Sequence, residues 1–219
     1  MNKETFYEIA LLSGMISTII YLLHVIVGGA LWGGYSHMEQ SISDLTSVGA
    51  PHKTLLSVMT NMYGILALIF AIVLYRLIKQ HDFKLLRIGL LLLVVMEAVS
   101  FVGYMLFPLE SSGIEQFSFQ NVMHIIVTII VVVTTISFTF LLGIGFLKIQ
   151  RMKKLGLYIL VSGIIITISG ISTGFVIANE LPIMGLIERV NIFALQGVIF
   201  ALSFVMYREY KSHGSLKLW

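Results

Sequence analysis

The chain has 219 residues, of which 58% are hydrophobic and 11% are charged, and its formal net charge at pH 7 is +3. Soluble domains carry roughly 25% charged residues, so the composition excludes an ordinary soluble protein and indicates a membrane protein. The sequence has no cysteine, which excludes disulfide bonds, cysteine nucleophiles and metal sites held by thiolates.

Six apolar segments are each near the roughly 20 residues that a helix needs to cross a bilayer. Backbone polar groups in lipid must pair within their own segment, which predicts helices rather than open strands. We therefore expect an all-α fold, a six-helix transmembrane bundle that forms one integral membrane domain over residues 1–219. The predicted spans cover residues 7–31, 54–77, 87–107, 122–147, 155–177 and 189–207.

The distribution of basic residues predicts the orientation of the bundle. Twelve of the fourteen lysines and arginines fall in the two terminal segments and in the connections after predicted spans two and four. The positive-inside rule places these segments in the cytoplasm, so we expect cytoplasmic N- and C-termini and a multi-pass protein of the cell (plasma) membrane. The remaining connections then face outward with six acidic residues: Glu39, Asp44, Glu110, Glu115, Glu180 and Glu188.

The most polar stretch of the chain, residues 41–52, lies between the first two spans. Ser43 and Asp44 favour the N-terminus of a helix, and Gly49 and Pro51 are typical of a tight turn. This pattern predicts an ordered segment on the outer surface with a short interfacial helix, rather than a plain linker. We expect Ser43, Asp44 and the adjoining His52 to contribute to a ligand-binding site that opens outward.

Two charged residues, Glu188 and Arg189, stand at the start of the sixth span. They could form a local ion pair that anchors the helix among lipid headgroups. Alternatively, the guanidinium of Arg189 could reach a lipid phosphate or the segment that contains Asp44, because its planar fork suits both partners. We include both residues among the expected ligand-binding residues.

Glu97 is the strongest single indication of a functional site. It lies about ten residues from the outer end of the third span, hence about 15 Å deep at 1.5 Å per residue. An ionised carboxylate exposed to lipid there would cost about 2.5 kcal/mol or more. The side chain must therefore be protonated, paired or directed into a polar cavity. A neutral acid bonded to a neighbouring helix and an acid that binds a ligand both fit.

Two histidines, His24 in the first span and His124 at the start of the fourth, are predicted at similar depths in the outer half. With Asp44, Glu97 or Glu188 they could form a zinc site or a proton-handling cluster. The sequence contains no His-x-x-x-His or His-Glu-x-x-His motif that would select zinc over two separately bonded histidines. A haem held by both histidines is a further, weaker alternative because no second histidine pair is present.

Small residues recur at four-residue spacing in two of the spans. Gly29 and Gly33 lie near the end of the first span, and Gly170 and Gly174 lie in the fifth. Such pairs allow helices to approach closely, so we expect them at helix–helix contacts.

Several short motifs lie at the ends of the spans and between them. They are Ser-Ile-Ser-Asp-Leu…Gly-Ala-Pro within residues 41–51, Leu-Phe-Pro108, His124 and Gly185…Glu188-Arg189-Val. These motifs resemble those of the bacterial domain-of-unknown-function 998 family, and the resemblance covers nearly the whole chain in the number of spans and the placement of connections. It implies a six-helix integral membrane protein without an assigned reaction. The outer segment is also similar, more distantly, to that of the DRAM and FGF-receptor-activating-protein group, whose link to lipid handling implies a lipid role.

Three functions remain open from the sequence. The first is a protein that binds or senses a lipid or amphiphile in an outward-facing cavity lined by His24, Glu97 and His124. The second is an intramembrane metal-dependent hydrolase of lipid-like substrates, in which zinc held by the histidines and a carboxylate would activate water. A transporter ranks last because no span contains a central proline. We expect membrane lipids as partners, with a homo-oligomer as an open alternative and no nucleic acid.

Overall fold

The computed structural model describes residues 2–79, 81–110 and 118–216. Within these residues the chain forms six α-helices and two short 3₁₀ helices, without a β-strand. All six α-helices are long and apolar enough to cross a membrane, which confirms the predicted all-α, six-span fold. The helices are α1 Lys3–Leu31, α2 Lys53–Ile78, α3 Lys84–Leu106, α4 Phe119–Leu147, α5 Lys153–Ala178 and α6 Met184–His213.

The six helices are arranged as a closed ring. Each helix packs against its neighbours in the chain, and α1 completes the ring by packing against α6. The ring of Tyr7 in α1 meets that of Tyr210 in α6 at 5.8 Å between centroids, so both ends of the chain lie at one end of the bundle. Arg151, just before α5, pairs with Glu209 of α6 at 3.1 Å at this same end. The connections after α1 and α5, and the described residues 107–110 and 118 after α3, therefore lie together at the opposite end.

Several helices extend beyond the apolar segments because their first or last turns are polar. Asn2 caps α1 by accepting a hydrogen bond from the Thr5 N–H at 2.8 Å, and Ser118 caps α4 in the same way. Such side chains satisfy amide groups that have no partner within the helix. Helix α6 continues to His213, and Gly214, which follows it, has a φ of +64°. Hydropathy is insensitive to these polar ends, so the predicted sixth span, 189–207, is shorter than the helix.

Close helix crossings depend on glycines other than those that the spacing predicts. A Cβ on Gly156 of α5 would meet the Gly143 carbonyl oxygen at 2.9 Å and the Leu147 amide nitrogen at 2.7 Å, both in α4. A Cβ on Gly14 of α1 would meet the ring of Phe70 in α2 at 2.8 Å. Backbones at these crossings approach as closely as small residues permit.

The prediction that the two four-residue glycine pairs lie at helix contacts is wrong for three of the four glycines, and only Gly170 faces a side chain of another helix, that of Asn191. No atom lies within 4 Å of a Cβ built on Gly33 or Gly174. Gly29 faces the side chain of His37 in the following connection instead of another helix. The spacing repeats by chance among many glycines in apolar helices, and only the register of neighbouring helices decides which of them face a partner.

The buried apolar side chains form two separate clusters. The larger cluster runs along the middle and the end of the ring that holds the chain termini, with Phe70, Phe138 and Phe146 fully buried. The smaller cluster lies at the opposite end and consists of Val25, Ile42, Leu45 and Leu56. Two of its members belong to the connection between α1 and α2, which is therefore folded over that end of the bundle.

Candidate functional site

The connection between α1 and α2, residues 32–52, is an ordered cap, and we call it the α1–α2 segment. Its 3₁₀ helix, Ser43–Thr46, places Leu45 against the bundle with no exposed surface. The expectation of a short helix here is confirmed, but the capping residue is different. Ile42, not Ser43 or Asp44, occupies the N-cap position, and the Ser41 hydroxyl accepts a hydrogen bond from the Asp44 N–H at 3.1 Å. The Asp44 carboxylate in turn accepts from the Ser41 N–H at 2.8 Å.

Arg189 of α6 holds the α1–α2 segment in place. Its guanidinium donates to the carbonyl oxygens of Gln40 and Gly185, each at 2.8 Å, and to the Tyr35 hydroxyl at 2.7 Å. The Tyr35 hydroxyl donates in turn to the Ser41 carbonyl oxygen at 2.6 Å. Arg189 is only 7% exposed, so these bonds form away from water, where charged hydrogen bonds are strong. The alternative in which Arg189 reaches this segment is therefore the one that the structure shows.

Glu188 binds the same segment from the neighbouring position. Its Oε2 accepts a hydrogen bond from the Ile42 N–H at 2.5 Å. The first amides of α6 are also occupied, because Gly185 and Leu186 donate to the carbonyl oxygens of Glu39 and Met38. Glu188 and Arg189 thus bind different backbone groups, as the second of the two alternatives has it for Arg189, and not each other. Together they join the start of α6 to the α1–α2 segment.

Gly185 is the point of closest approach between α6 and the α1–α2 segment. A Cβ at this position would collide with the Gln40 carbonyl oxygen and would meet Nη1 of Arg189 at 2.7 Å. We expect Gly185→Ala to displace the segment and to lower the free energy of unfolding by about 1–3 kcal/mol, as overpacking does. Thermal unfolding in neutral detergent measures this loss. Gly33→Ala, within the segment but in open space, is the matched control, and an equal loss in both variants would contradict the assignment.

The partly buried phenol of Tyr35 predicts that the docked α1–α2 segment becomes less stable at alkaline pH. Burial raises the pKa of its phenol to about 12 from an ordinary value of 10, although the hydrogen bond from Arg189 lowers it in part. The unfolded phenol therefore loses its proton first, and this contribution to stability, complete below pH 10, is lost as the pH rises toward about 12. Thermal unfolding of the wild type and Tyr35→Phe across this range tests it. The two melting temperatures should converge as the pH rises, and parallel curves would exclude a role for Tyr35.

Beneath the α1–α2 segment, four helices contribute one polar side chain each to a common layer. At 1.5 Å per residue, these residues lie about 14–18 Å along their helices from the ends that the α1–α2 segment covers. We call that end of the bundle the capped end. Nε2 of Gln196 donates to the Tyr63 hydroxyl at 3.0 Å, and the rings of Tyr63 and Tyr21 meet edge to face at 4.8 Å between centroids. We call this set the polar layer; it comprises Tyr21 of α1, Tyr63 of α2, Glu97 of α3 and Gln196 of α6.

Several polar atoms in and above this layer have no hydrogen-bond partner. Glu97 is 1% exposed and lies beside the Tyr63 hydroxyl, yet neither carboxyl oxygen has a partner at hydrogen-bonding distance and angle. Oε1 of Gln196 is also without a partner. The same holds for both ring nitrogens of His24, whose ring contacts that of Tyr21 at 5.6 Å. Unpaired buried polar groups each cost about 1–3 kcal/mol, so this concentration of them requires an explanation.

The other expected ligand-binding residues lie outside the polar layer. Ser43 and Asp44 bind groups within the α1–α2 segment, Ser43 through the hydroxyl of Ser41 at 2.9 Å. His52 is exposed and occupies the position before α2 with a φ of +57°. His124 is half-buried on α4, with Nδ1 2.8 Å from the Phe107 carbonyl oxygen. Only Glu97 and His24 of the expected residues thus lie in or directly above the layer.

The structure does not bring a set of possible ligands together for the expected zinc site within the residues that it describes. There, no three side chains of His, Asp or Glu lie close enough to hold one metal ion. A structural zinc site has four ligands and a catalytic one has three. Zinc held by His24 and His124 therefore stays a prediction.

Sequence analysis missed three members of the polar layer, Tyr21, Tyr63 and Gln196. Gln196 is an uncharged polar residue in the middle of an apolar helix, and such residues bond across helices in membranes. That signal was present but was obscured by the charges of Glu188 and Arg189 in the same helix. Tyr21 and Tyr63 carried no separate signal, because tyrosines are common in membrane helices and only the packing shows which of them face inward.

Comparison with known proteins places the chain in a family. A family model described as protein of unknown function, DUF998, matches residues 15–205. The chain belongs to the DUF998 family. The matched region of this DUF998 protein includes the polar layer, the α1–α2 segment and its contacts on α6. Comparisons with curated proteins and with solved structures gave no match. The match supports a multi-pass membrane protein of unknown function, and the more distant resemblance to the DRAM group stays a prediction.

Proposed function

We propose that this DUF998 protein binds a lipid-like amphiphile in the polar layer, beneath the α1–α2 segment. The observation that carries the proposal is Glu97, a fully buried carboxyl in a membrane helix with both oxygens unpartnered. An ionisable side chain inside a membrane span is costly, and such residues commonly mark binding sites or transport pathways. A ligand that supplies the missing hydrogen-bond partners of Glu97 would explain why the protein keeps this costly residue.

The surroundings of the layer favour an amphiphile over a fully polar ligand. Between the layer and the surface at the capped end lies the apolar cluster formed by Val25, Ile42, Leu45 and Leu56. A molecule in the layer would extend its remaining atoms among these side chains. A polar group joined to an apolar body matches both environments, as in most small-molecule sites.

We further propose that the capped end faces outward in the plasma membrane of a bacterial cell. The termini and the connections after α2 and α4, which carry most of the basic residues, lie at the other end of the ring, and the positive-inside rule assigns that end to the cytoplasm. A ligand would then enter from the outer leaflet. The α1–α2 segment would have to shift, or the helices to separate, for it to reach Glu97.

Native mass spectrometry of the protein released from neutral detergent tests the proposed function. We expect the wild type to retain a bound amphiphile from the membrane and Glu97→Leu to lose it. Glu4→Leu makes the same chemical change at an exposed position of α1 and should retain the ligand. A wild type without any retained amphiphile, also after incubation with a total lipid extract, would contradict the proposal. Equal retention in all three proteins would remove Glu97 from the site.

The metal-dependent hydrolase remains a second proposal because of one feature of His124. Its Nδ1 bonds to a backbone carbonyl oxygen, which leaves Nε2 as the nitrogen for a further contact. Metal-binding histidines are commonly oriented by such a bond. Elemental mass spectrometry should find about one zinc per chain in the wild type if this proposal holds. Loss of that zinc in His124→Ala, but not in His52→Ala, would support it, and a metal-free wild type would end it.

A further inference from the structure

We infer that the ligand of the polar layer carries a single protonated amine. This inference rests on the proposed function and specifies the chemistry of its polar group. The first argument comes from the hydrogen-bonding atoms that are still open. Oε1 of Gln196 is an acceptor, as are both oxygens of Glu97 when this carboxyl is ionised, and all three atoms lack a partner. A matching ligand must therefore donate several hydrogen bonds, and a primary ammonium group has three N–H donors and no acceptor.

One donor of the layer is already used within the chain. Nε2 of Gln196 donates to the Tyr63 hydroxyl, so this hydroxyl oxygen has accepted a bond. The Tyr63 hydroxyl lies beside the Glu97 carboxyl, although no hydrogen bond at bonding distance and angle joins the two groups. A ligand whose polar group is an anion, such as a carboxylate or phosphate, would be repelled by an ionised Glu97.

The charges of the helices provide the second argument. By sequence, no lysine or arginine occurs between residues 88 and 147 or between residues 190 and 207. Glu97 therefore has no lysine or arginine at its level on α3, α4 or α6, and α1 and α2 have neither between residues 4 and 52 or between 54 and 75. A buried carboxyl that ionises requires a positive partner. One ammonium group would neutralise it and leave no net charge in the layer.

The aromatic rings provide the third argument. The rings of Tyr21 and Tyr63 meet edge to face within the layer, and the ring of His24 lies against that of Tyr21. An organic cation is attracted to the faces of such rings. A divalent metal ion is a poorer match, because the described residues offer no group of three His, Asp or Glu ligands. The site therefore combines one carboxylate, neutral acceptors and aromatic rings, a set that fits an ammonium headgroup or a cationic amphiphile.

Binding of three probes with the same apolar chain tests the inference. Dodecylamine, dodecanol and dodecanoate differ only in the polar group, which at pH 7 is cationic, neutral or anionic. Native mass spectrometry in neutral detergent gives the dissociation constant of each probe for the wild type. We expect dodecylamine to bind about 10- to 100-fold more tightly than dodecanol, the ratio that one charged hydrogen bond provides, and dodecanoate not to bind.

Variants show whether the preference arises at the polar layer. Glu97→Gln keeps the size of the side chain and should weaken dodecylamine binding to the level of dodecanol, whereas Glu4→Gln should leave it unchanged. Tyr63→Phe retains the ring and removes the hydroxyl, and it should weaken dodecylamine binding less than Glu97→Gln does. Tyr63→Phe also provides a test if Glu97→Gln does not fold. A Tyr63→Phe protein that prefers dodecylamine over dodecanol as strongly as the wild type does would overturn the inference.

The outcomes separate this inference from the proposed function. Tighter binding of dodecanol or dodecanoate, lost in Glu97→Gln, would overturn the amine assignment and leave the amphiphile site standing. Failure of all three probes to bind, together with no amphiphile retained from the membrane, would overturn both. Amine binding that is equal in the wild type and Glu97→Gln would show association with the apolar surface alone and would also overturn the inference.

Discussion

Arg189→Leu is expected to release the α1–α2 segment from the bundle. The substitution removes the donors that the carbonyl oxygens of Gln40 and Gly185 and the hydroxyl of Tyr35 now share. Charged hydrogen bonds are worth about 1.5–3 kcal/mol each, and acceptors left buried without a donor add to the loss. We expect the free energy of unfolding to fall by about 3–5 kcal/mol. Thermal unfolding in neutral detergent, with proteolysis within residues 32–52 as a local probe, measures the effect.

Arg208→Leu is the matched control for this prediction. Arg208 lies on the same helix but is exposed, with its guanidinium over the ring of Phe204. Removal of an exposed charge of this kind is expected to change stability by less than about 1 kcal/mol. Proteolysis within residues 32–52 that is no faster in Arg189→Leu than in the control would show that other contacts hold the segment.

Glu97→Leu is expected to act in opposite directions on stability and on binding. Leucine removes two unpartnered buried oxygens and supplies an apolar side chain to the interior, so the ligand-free protein should gain about 1–3 kcal/mol in the free energy of unfolding. The same change should abolish retention of the amphiphile. Both effects are measured on one preparation, through thermal unfolding after delipidation and native mass spectrometry before it.

The sign of the stability change separates a binding residue from a structural one. If Glu97 served only the fold, through bonds to neighbouring helices, its replacement by leucine would destabilise the protein. Glu4→Leu, at an exposed position, should leave both quantities unchanged. A destabilised Glu97→Leu protein would therefore favour the alternative of a neutral acid bonded to another helix.

The helices could be predicted from the sequence because the bilayer imposes a length and an apolar composition on them. Hydropathy located all six, and their polar ends were misjudged because capping by Asn2 and Ser118 is a local hydrogen-bonding property. The closure of the ring by α1 and α6 was not predictable. It depends on contacts between residues far apart in the chain, such as the Ser203 hydroxyl donating to the Leu11 carbonyl oxygen at 2.6 Å.

The candidate site was predictable only where a residue is conspicuous by type. Glu97, His24 and Arg189 are rare in membrane helices, and their presence there indicated a role. The contacts that each of these residues makes depend on helix packing, which the sequence does not show. Arg189 binds the chain itself, whereas Glu97 remains without a partner, and the two cannot be distinguished by residue type or depth. Gln196, which joins α6 to the layer, was predictable in principle as a polar residue in mid-helix.

An experimental structure of the protein purified with its native lipids would test the central claim most directly. Density at side-chain resolution around Glu97 is the decisive observation. The proposed function predicts non-protein density within hydrogen-bonding distance of the Glu97 carboxyl, continuing as an apolar chain among Val25, Leu45 and Leu56. A closed layer, with both Glu97 oxygens bonded to side chains of this protein and no additional density, would contradict it.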